Sequence, residues 1–534
     1  MTHYDVVVAG AGPVGLMLGC ELRLGGVARV LVVERLAEVD ETIKAGAINT
    51  PTAVALDRRG LLPALVEVQQ QTMDRFREFQ RARGGDGNAP PPPKFAGHFA
   101  GITLDAGLLD TADPAFADVG PAGDVGLIPQ SSLERLLAGR AGELGVELRR
   151  GVELTGFEQD DDGVTVHLAP ADGSAPESVR AGRLVGCDGG RSVVRKLAGF
   201  DFPGTPPEIT GYQALVGLDG AEGLANGWTA TDTGVYVHGP VPGRVLTVEF
   251  DGPPVDRTEP VTAEELQSSL RRVSGVDVTV TEVHTVTRFT DNCRQATSYR
   301  CGRVLLAGDA AHVHSPFGGQ GLNLGIGDAM NLGWKLAAVV RGRAADGLLD
   351  SYTSERHPIG AWVLDWTRAQ IALMRPESHA RKLRAVFTDL TRTVDGTTHL
   401  VKKISGVWQH YDLPGDHSLV GRSAPDLEFA DGTRLADHLH GGRAVLLDLA
   451  DDPELRALAE GYGDRVDVRT VVCAGVPELS GLLVRPDGVT AWAADRLPAG
   501  DALVQALERW FGAPAGRGTG ALPPDPRSSI AGGA

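Results

Sequence analysis

Two stretches of this 534-residue chain have the residue types and spacing to bind a nucleotide cofactor. In the first, glycine recurs at Gly10, Gly12 and Gly15. Glycines at this spacing permit a tight turn and let backbone N–H groups approach a pyrophosphate at a helix start. Glu34, nineteen residues after Gly15, is spaced to accept hydrogen bonds from a ribose. These residues predict dinucleotide binding near the N-terminus.

The second stretch, residues 303–340, combines an acidic residue with several glycines. Asp309 follows an apolar run, and its carboxylate could accept hydrogen bonds from sugar-alcohol hydroxyls. Glycines at 318, 319 and 321 predict close approach to a large flat group. The N–H groups at the helix start, residues 321–323, carry partial positive charge. An isoalloxazine becomes anionic on reduction whereas nicotinamide becomes neutral, so this helix start favours a flavin.

These residues need strands and helices to position them. Apolar runs at 4–9 and 28–34 flank a helix and predict a buried parallel sheet. A further helix is predicted within 128–151, with Ser131 or Ser132 as its cap. Short alternating segments from 201 to 284 predict an antiparallel sheet layer on the substrate side. Helical patterns dominate 320–400, and 424–512 reads as a small α/β domain.

The composition excludes several classes of protein. A formal net charge of -18 argues against nucleic acid as a partner. The five cysteines are scattered without C-x-x-C spacing, so we expect no disulfide framework and a reducing cytoplasm. No apolar run approaches the ~20 residues of a membrane helix. His312 and His314 lack a third spaced ligand, so we expect no metal.

Three aromatic or imidazole side chains leave alternatives open. His98 could face a substrate, although packing is the more frequent role of such a residue. Trp362 and Trp366 lie four residues apart on a predicted helix, which favours core or interface packing over a stacking platform.

Three motifs in the same order resemble those of the single-component, p-hydroxybenzoate hydroxylase-like FAD-dependent aromatic hydroxylases. They are residues 10–15, the run from Cys187 to Arg195, and residues 308–312 with 316–323. Residues 97–101, 288–312 and 482–492 further resemble the bacterial aromatic polyketide hydroxylases.

The resemblance implies an α/β fold with a Rossmann-like FAD-binding domain of the glutathione reductase type. It adds an antiparallel-sheet substrate domain and a thioredoxin-like C-terminal domain, which has no redox role because it lacks a cysteine pair. We expect the FAD-binding domain at 1–76, 104–200 and 285–400, the substrate domain at 77–103 and 201–284, the C-terminal domain at 401–512, and a disordered tail at 513–534.

The resemblance also assigns the cofactor contacts. Glu34 would hold the adenine ribose, Asp309 the ribityl chain, and Gln130 the ribityl-pyrophosphate side. Lys44 stands where the family usually has arginine, and a lysine offers a point charge rather than a bidentate fork. The full predicted set is Gly10, Gly12, Pro13, Val14, Gly15, Glu34, Arg35, Lys44, Ala45, Gln130, Asp188, Gly308, Asp309, Pro316, Gly319, Gly321, Leu322 and Asn323.

The implied activity is oxygenation of a polycyclic aromatic polyketide in antibiotic-type secondary metabolism. NADPH or NADH would reduce FAD, O2 would add at flavin C4a, and the hydroperoxide would deliver one oxygen atom. A Baeyer–Villiger or ring-rearranging oxygenase is the alternative, and a non-catalytic FAD-binding scaffold is the alternative from a different class. No side chain stands out as catalytic, because in such enzymes the cofactor makes the oxidant. The chain could be a monomer or a homodimer.

Overall fold

The computed structural model describes residues 1–82, 97–117, 119–239, 241, 243–256, 259–473, 475–497 and 500–515. Residues 516–534 of the predicted tail and the proline-rich residues 83–96 lie outside this range.

An eight-stranded sheet forms the centre of the first domain. Its strands are β1 (Thr2–Ala9), β2 (Val30–Glu34), β5 (Glu147–Arg150), β6 (Val152–Gln159), β7 (Val164–Pro170), β8 (Glu177–Gly186), β16 (Arg300–Cys301) and β17 (Val304–Leu306). The strands are arranged in the order β16-β17-β8-β1-β2-β5, and β7 and β6 extend the sheet beside β8. β1 pairs in parallel with β2 and β8, and β17 pairs in parallel with β8. Their carboxyl ends therefore meet at one edge of the sheet.

Helices cover this sheet and continue beyond it. They are α1 (Pro13–Leu24), α2 (Thr50–Asp57), α3 (Leu62–Ala82), α4 (Gln130–Glu143), α5 (Val193–Leu197), α6 (Ala263–Ser274), α7 (Gly321–Val340), α8 (Ser351–Met374), α9 (Ser378–Thr391) and α10 (Val394–Ser405). The helices α1 and α7 approach closely at two glycines. A Cβ at Gly325 would lie 2.5 Å from Val14 Cγ2, and one at Gly333 would lie 2.3 Å from Glu21 Cβ.

The predicted cap of α4 is wrong. Pro129 occupies the N-cap position with φ -60° and ψ 140°, which places Ser131 and Ser132 inside the first turn. The amide of Gln130 donates to the carbonyl oxygen of Ala45 at 2.9 Å, so a loop carbonyl, and not a serine hydroxyl, accepts a hydrogen bond from the start of this helix.

A second, antiparallel sheet has the order β11-β12-β13-β10-β14. Its strands are β10 (Thr210–Asp219), β11 (Gly227–Ala230), β12 (Gly234–His238), β13 (Arg244–Glu249) and β14 (Thr279–Phe289). Successive side chains point to opposite faces. One face packs with α6 through residues such as Tyr212 and Val245. The other, here called the inner face, carries Leu246, Val248 and Phe289 and packs against Phe317.

Small strand pairs join these layers. They are β3 (His98–Phe99) with β4 (Ile102–Thr103), and β9 (Gly204–Thr205), β15 (Cys293–Gln295) and β18 (His312–Val313) in a three-stranded sheet.

The C-terminal domain has a four-stranded sheet of order β20-β19-β21-β22. Its elements are α11 (Leu435–His438), β19 (Ala444–Asp448), α12 (Pro453–Leu458), β20 (Val466–Thr470), β21 (Gly481–Val484), β22 (Thr490–Ala494) and α13 (Gly500–Phe511). Buried arginines fasten it to the first domain. Arg59 pairs with Glu21 and donates to the carbonyl oxygens of Leu439 and Pro486.

The predicted mixed α/β class with an antiparallel second layer is confirmed, whereas the residue boundaries of the domains stay a prediction. All five cysteines are free thiols. Within the described residues, no helix combines the length and apolar content that crossing a membrane requires.

Candidate active site

The carboxyl edge of the main sheet gathers the predicted cofactor residues. Gly10 N donates to Val33 O at 2.7 Å, Cys187 N donates to Ala9 O at 2.7 Å, and Ala307 N donates to Gly186 O at 3.0 Å. These bonds bring the three motifs side by side, although they are up to 300 residues apart in the chain.

The glycine turn has the shape that a pyrophosphate requires. Gly10 has φ +104°, and a Cβ there would lie 2.3 Å from Cys187 O. A Cβ at Gly15 would lie 1.9 Å from Gly10 O, so both positions exclude other residues on steric grounds. At Gly12 a Cβ would meet nothing within 4 Å. Pro13 and Val14 begin α1 directly behind this open space, so its N-terminal N–H groups can face an anion.

Glu34 ends β2 beside this turn. Its carboxylate accepts hydrogen bonds from Ala11 N at 2.9 Å and Leu36 N at 3.0 Å. Each oxygen keeps a further lone pair, so Glu34 can also accept from ribose hydroxyls. Arg35 follows it with an exposed side chain.

Lys44 lies on the loop after β2, next to the Ala45 carbonyl that holds α4. Its ammonium pairs with Asp40 at 2.9 Å, and its side chain is 41% exposed. Burial raises the pKa of Asp40, but hydrogen bonds from Lys44 and Thr42 outweigh it and lower that pKa to about 2. In this structure the nearest anion to Lys44 is therefore a carboxylate of the chain itself.

We expect Lys44→Ala to weaken FAD retention or slow flavin reduction by about two- to fivefold, as befits a partly exposed ion pair. Lys44→Arg should match or exceed the wild type. Apoprotein titration with FAD and stopped-flow reduction by NADPH measure the two effects, with Lys382→Ala, an exposed lysine on α9, as the control. Identical behaviour of all the proteins would mean that Lys44 is a solvated surface charge without a role in cofactor binding.

The Gly308-Asp309 turn presents a free carboxylate at the same edge. Gly308 has φ +63°, and a Cβ there would lie 3.1 Å from Val14 Cγ2. Asp309 is exposed among buried neighbours. Within the part of the chain that the structure describes, its side chain accepts no hydrogen bond, so its lone pairs remain available to ligand hydroxyls.

Asp328, on the second turn of α7, holds the Gly308-Asp309 turn in place, although it is not among the predicted site residues. Its Oδ2 accepts from Gly308 N at 3.0 Å and contacts His312 Nε2 at 2.7 Å. Its Oδ1 accepts from Arg356 Nε at 2.8 Å. Burial raises the pKa of Asp328, but the charges of Arg356 and His312 lower it below its usual value. His312 is thus part of a buried ion cluster that orients Gly308.

The 316–320 loop leads into α7. Asn323 Nδ2 donates to Gly319 O at 2.8 Å, and the Asn323 side chain also accepts from Asn49 N. Gly319 has φ +62° with open space beyond its Cα, which suits a flat ring beside Pro316. The first N–H groups of α7, at Gly321 and Leu322, have no side-chain cap. Gly318 is different, because a Cβ there would lie 2.7 Å from Gln370 Nε2.

Several polar atoms around this edge lack partners in the protein. Asp188 Oδ2 caps α5 by accepting from Val193 N and Val194 N, whereas its Oδ1 is buried without a hydrogen bond. Ser315 Oγ and His314 Nε2 are likewise buried and unbonded. A polar cofactor can satisfy such atoms, whose isolation otherwise costs about 1–3 kcal/mol each. The glycine turn, the free Asp309 carboxylate and these atoms fit FAD.

An aromatic wall lies between the 316–320 loop and the second sheet. Phe317 meets Trp228 and Phe289 at ring-centroid distances of 6.0 and 5.8 Å, and Trp228 contacts His98 at 4.5 Å. Burial, and less strongly the charge of Arg244, lowers the pKa of His98 to about 4, so its ring is neutral at pH 7.

Trp362 and Trp366 pack as predicted, with centroids 5.0 Å apart and Trp408 against Trp362 at 4.1 Å. Among the described residues, no three His, Cys, Asp or Glu side chains converge as metal ligands would.

Comparison with known proteins agrees with this geometry. The family described as "FAD binding domain" matches residues 3–367, and the family described as "Aromatic-ring hydroxylase, C-terminal" matches residues 417–514. The 12-dehydrotetracycline 5-monooxygenase/anhydrotetracycline 6-monooxygenase of Streptomyces rimosus is 42% identical over 96% of this chain and 100% of its own length. The rifampicin monooxygenase of Streptomyces venezuelae is 40% identical over 96% and 99%.

The solved structure of the Streptomyces rimosus anhydrotetracycline hydroxylase OxyS superposes with a TM-score of 0.82 at 41% identity, covering 96% of this chain and all of that one. The resemblance found in the sequence is thereby confirmed. The chain belongs to the FAD-binding family of aromatic-ring hydroxylases, and it is a flavoprotein monooxygenase with FAD as its cofactor.

Proposed function

We propose that this protein inserts one oxygen atom from O2 into a polycyclic aromatic polyketide, as a cytoplasmic enzyme of antibiotic-type metabolism. NADPH or NADH is the reductant, and hydroxylation of an electron-rich ring is the outcome. The relatives named for tetracycline and rifampicin oxygenation support the substrate class. When bound, FAD supplies the transfer of two electrons from NAD(P)H and the activation of O2.

The observation that carries the proposal is the aromatic wall beside the 316–320 loop. The half-buried rings of Trp228 and Phe289 offer apolar surface next to the predicted ring position at Gly319, and the buried ring of Phe317 packs against them. Such surface can hold a fused aromatic substrate against the cofactor and exclude water from the reacting atoms.

Gln370 connects this wall to the loop that leads into α7. Its Oε1 accepts from Ala100 N at 3.0 Å, and its Nε2 donates to Phe317 O at 3.3 Å. Ala100 has φ +53°, which is unusual for a residue other than glycine. Gln370 thus joins the β3–β4 turn to the 316–320 loop, which carries Phe317 of the aromatic wall.

Incubation with 18O2, NADPH and an aromatic polyketide such as anhydrotetracycline tests the function. We expect substrate-dependent NADPH oxidation and a product that gains one labelled oxygen atom as a new hydroxyl group, measured by mass spectrometry and NMR.

A labelled lactone would favour the Baeyer–Villiger alternative. NADPH oxidation that yields an unlabelled, dehydrogenated product would contradict oxygenation. A yellow protein that oxidises no NADPH with any aromatic ligand would point to a binding scaffold.

A further inference from the structure

An arginine without a carboxylate partner lies on the inner face of the second sheet. Along β13, Arg244 alternates in phase with Leu246 and Val248, which pack in the cluster around Phe317. The intervening residues, Val245 and Thr247, face α6 instead. Arg244 therefore projects from the same face as the aromatic wall.

The positive charge of Arg244 has no compensation within the described residues. Its side chain makes no hydrogen bond or ion pair there, and its Nε is buried without a partner. Burial lowers the pKa of Arg244, and no acidic group raises it. Two other arginines of the same domain differ, since the nearly buried Arg288 pairs with Glu265 and the exposed Arg272 pairs with Glu249.

The residues beside Arg244 on this face are suited to a polar end of a ligand. In the sheet register Arg244 stands opposite Leu215, which stands opposite Thr285. Thr285 Oγ1 is also buried without a hydrogen-bond partner. His98 accepts from Gly101 N through Nδ1, so its neutral ring presents Nε2–H as a further donor near Arg244.

The distance along the strand fixes where this polar end lies. Val248 pairs with Gly211 next to Phe289, at the end of the sheet that meets Phe317. Arg244 is four residues away, which is about 13 Å along a strand. A fused-ring substrate could thus lie with one end at the 316–320 loop and its other end at Arg244.

We propose that Arg244 is a specificity-determining residue that binds an anionic oxygen of the substrate, at the end of the ring system remote from the 316–320 loop. The substrates are then acidic polyketides that carry a carboxylate or an ionised phenol or enol at that end. This inference rests on the proposed function for the identity of the site, but it concerns binding and not oxygenation.

Two probes that differ only in charge test the inference, namely anthraquinone-2-carboxylate and its methyl ester. Their dissociation constants from the holoenzyme are measured by calorimetry at pH 7. We expect the wild type to bind the carboxylate at least tenfold more tightly than the ester. Arg244→Gln should abolish that preference and leave ester binding unchanged, while Arg244→Lys should keep part of it. Arg271→Gln, on the opposite side of the sheet, is the matched control.

Thermal melting separates recognition from a structural role. Because Arg244 has no partner to lose, we expect Arg244→Gln to melt at or above the wild-type temperature. A lower melting temperature, equal affinity of the wild type for both probes, or binding of neither probe at millimolar concentration would overturn the inference. Failure of the labelled-oxygen experiment with the charge preference intact would instead refute the proposed function alone.

Discussion

Asp309→Ala is expected to raise the Kd for FAD by about ten- to a hundredfold. The Asp309 carboxylate is exposed at the carboxyl edge of the main sheet, and it makes no hydrogen bond to the described residues. Each hydrogen bond that it accepts from a ribityl hydroxyl would contribute about 1.5–3 kcal/mol, because the acceptor is charged. Titration of apoprotein with FAD, followed by quenching of flavin fluorescence, measures the change.

Two comparisons make the Asp309 result specific. Asp416→Ala removes an exposed carboxylate in the C-terminal region and should leave the Kd unchanged. The melting temperature of Asp309→Ala apoprotein should equal that of the wild type, since the substitution breaks no bond within the protein. Unaltered FAD affinity would place the ribityl chain elsewhere.

Many of the predicted residues at the carboxyl edge of the main sheet lie close together in the sequence, and for that reason their arrangement could be predicted. The turn from Gly10 to Gly15 and the acid Glu34 belong to one strand–helix–strand unit, in which spacing alone fixes their relation. The helix start at Gly321 is also a local feature. The structure adds the steric reasons, such as the contact between a Cβ at Gly15 and the Gly10 carbonyl.

The ion cluster behind Gly308 could not be predicted in the same way. Asp328, Arg356 and Tyr411 are separated by dozens of residues, and Arg356 contacts the other two only after α7, α8 and the loop that carries Tyr411 have packed. The available signal is an aspartate inside a largely apolar helix, which implies a buried partner without identifying it.

The sequence around Arg244 contains a signal for an unusual position of this side chain. In residues 244–250 the alternation puts Arg244, Leu246 and Val248 on one face of the strand. An arginine in phase with apolar residues breaks the pattern, and such breaks tend to mark function. What the sequence could not show is the absence of a carboxylate beside it, because that depends on every element packed nearby.

Arg485→Ala is expected to lower the free energy of unfolding by about 3–5 kcal/mol, because removing one partner of a buried ion pair leaves the other charge uncompensated. Arg485 is fully buried and lies between the rings of Trp334 and Trp510. It donates to Glu355 at 2.8 and 3.1 Å, and thereby joins the C-terminal domain to α8. Without it, the Glu355 carboxylate keeps Lys335 but loses its bidentate partner.

Urea unfolding of the holoenzyme followed by circular dichroism measures this loss, with exposed Arg392→Ala as the control. Arg485→Lys should recover part of the stability, because an ammonium restores the charge but not the paired donors. Loss of the domain contact should also expose Trp334 and Trp510 to water, which shifts tryptophan emission to longer wavelength. A variant as stable as the wild type, with unshifted emission, would show that the C-terminal domain is held by its apolar contacts instead.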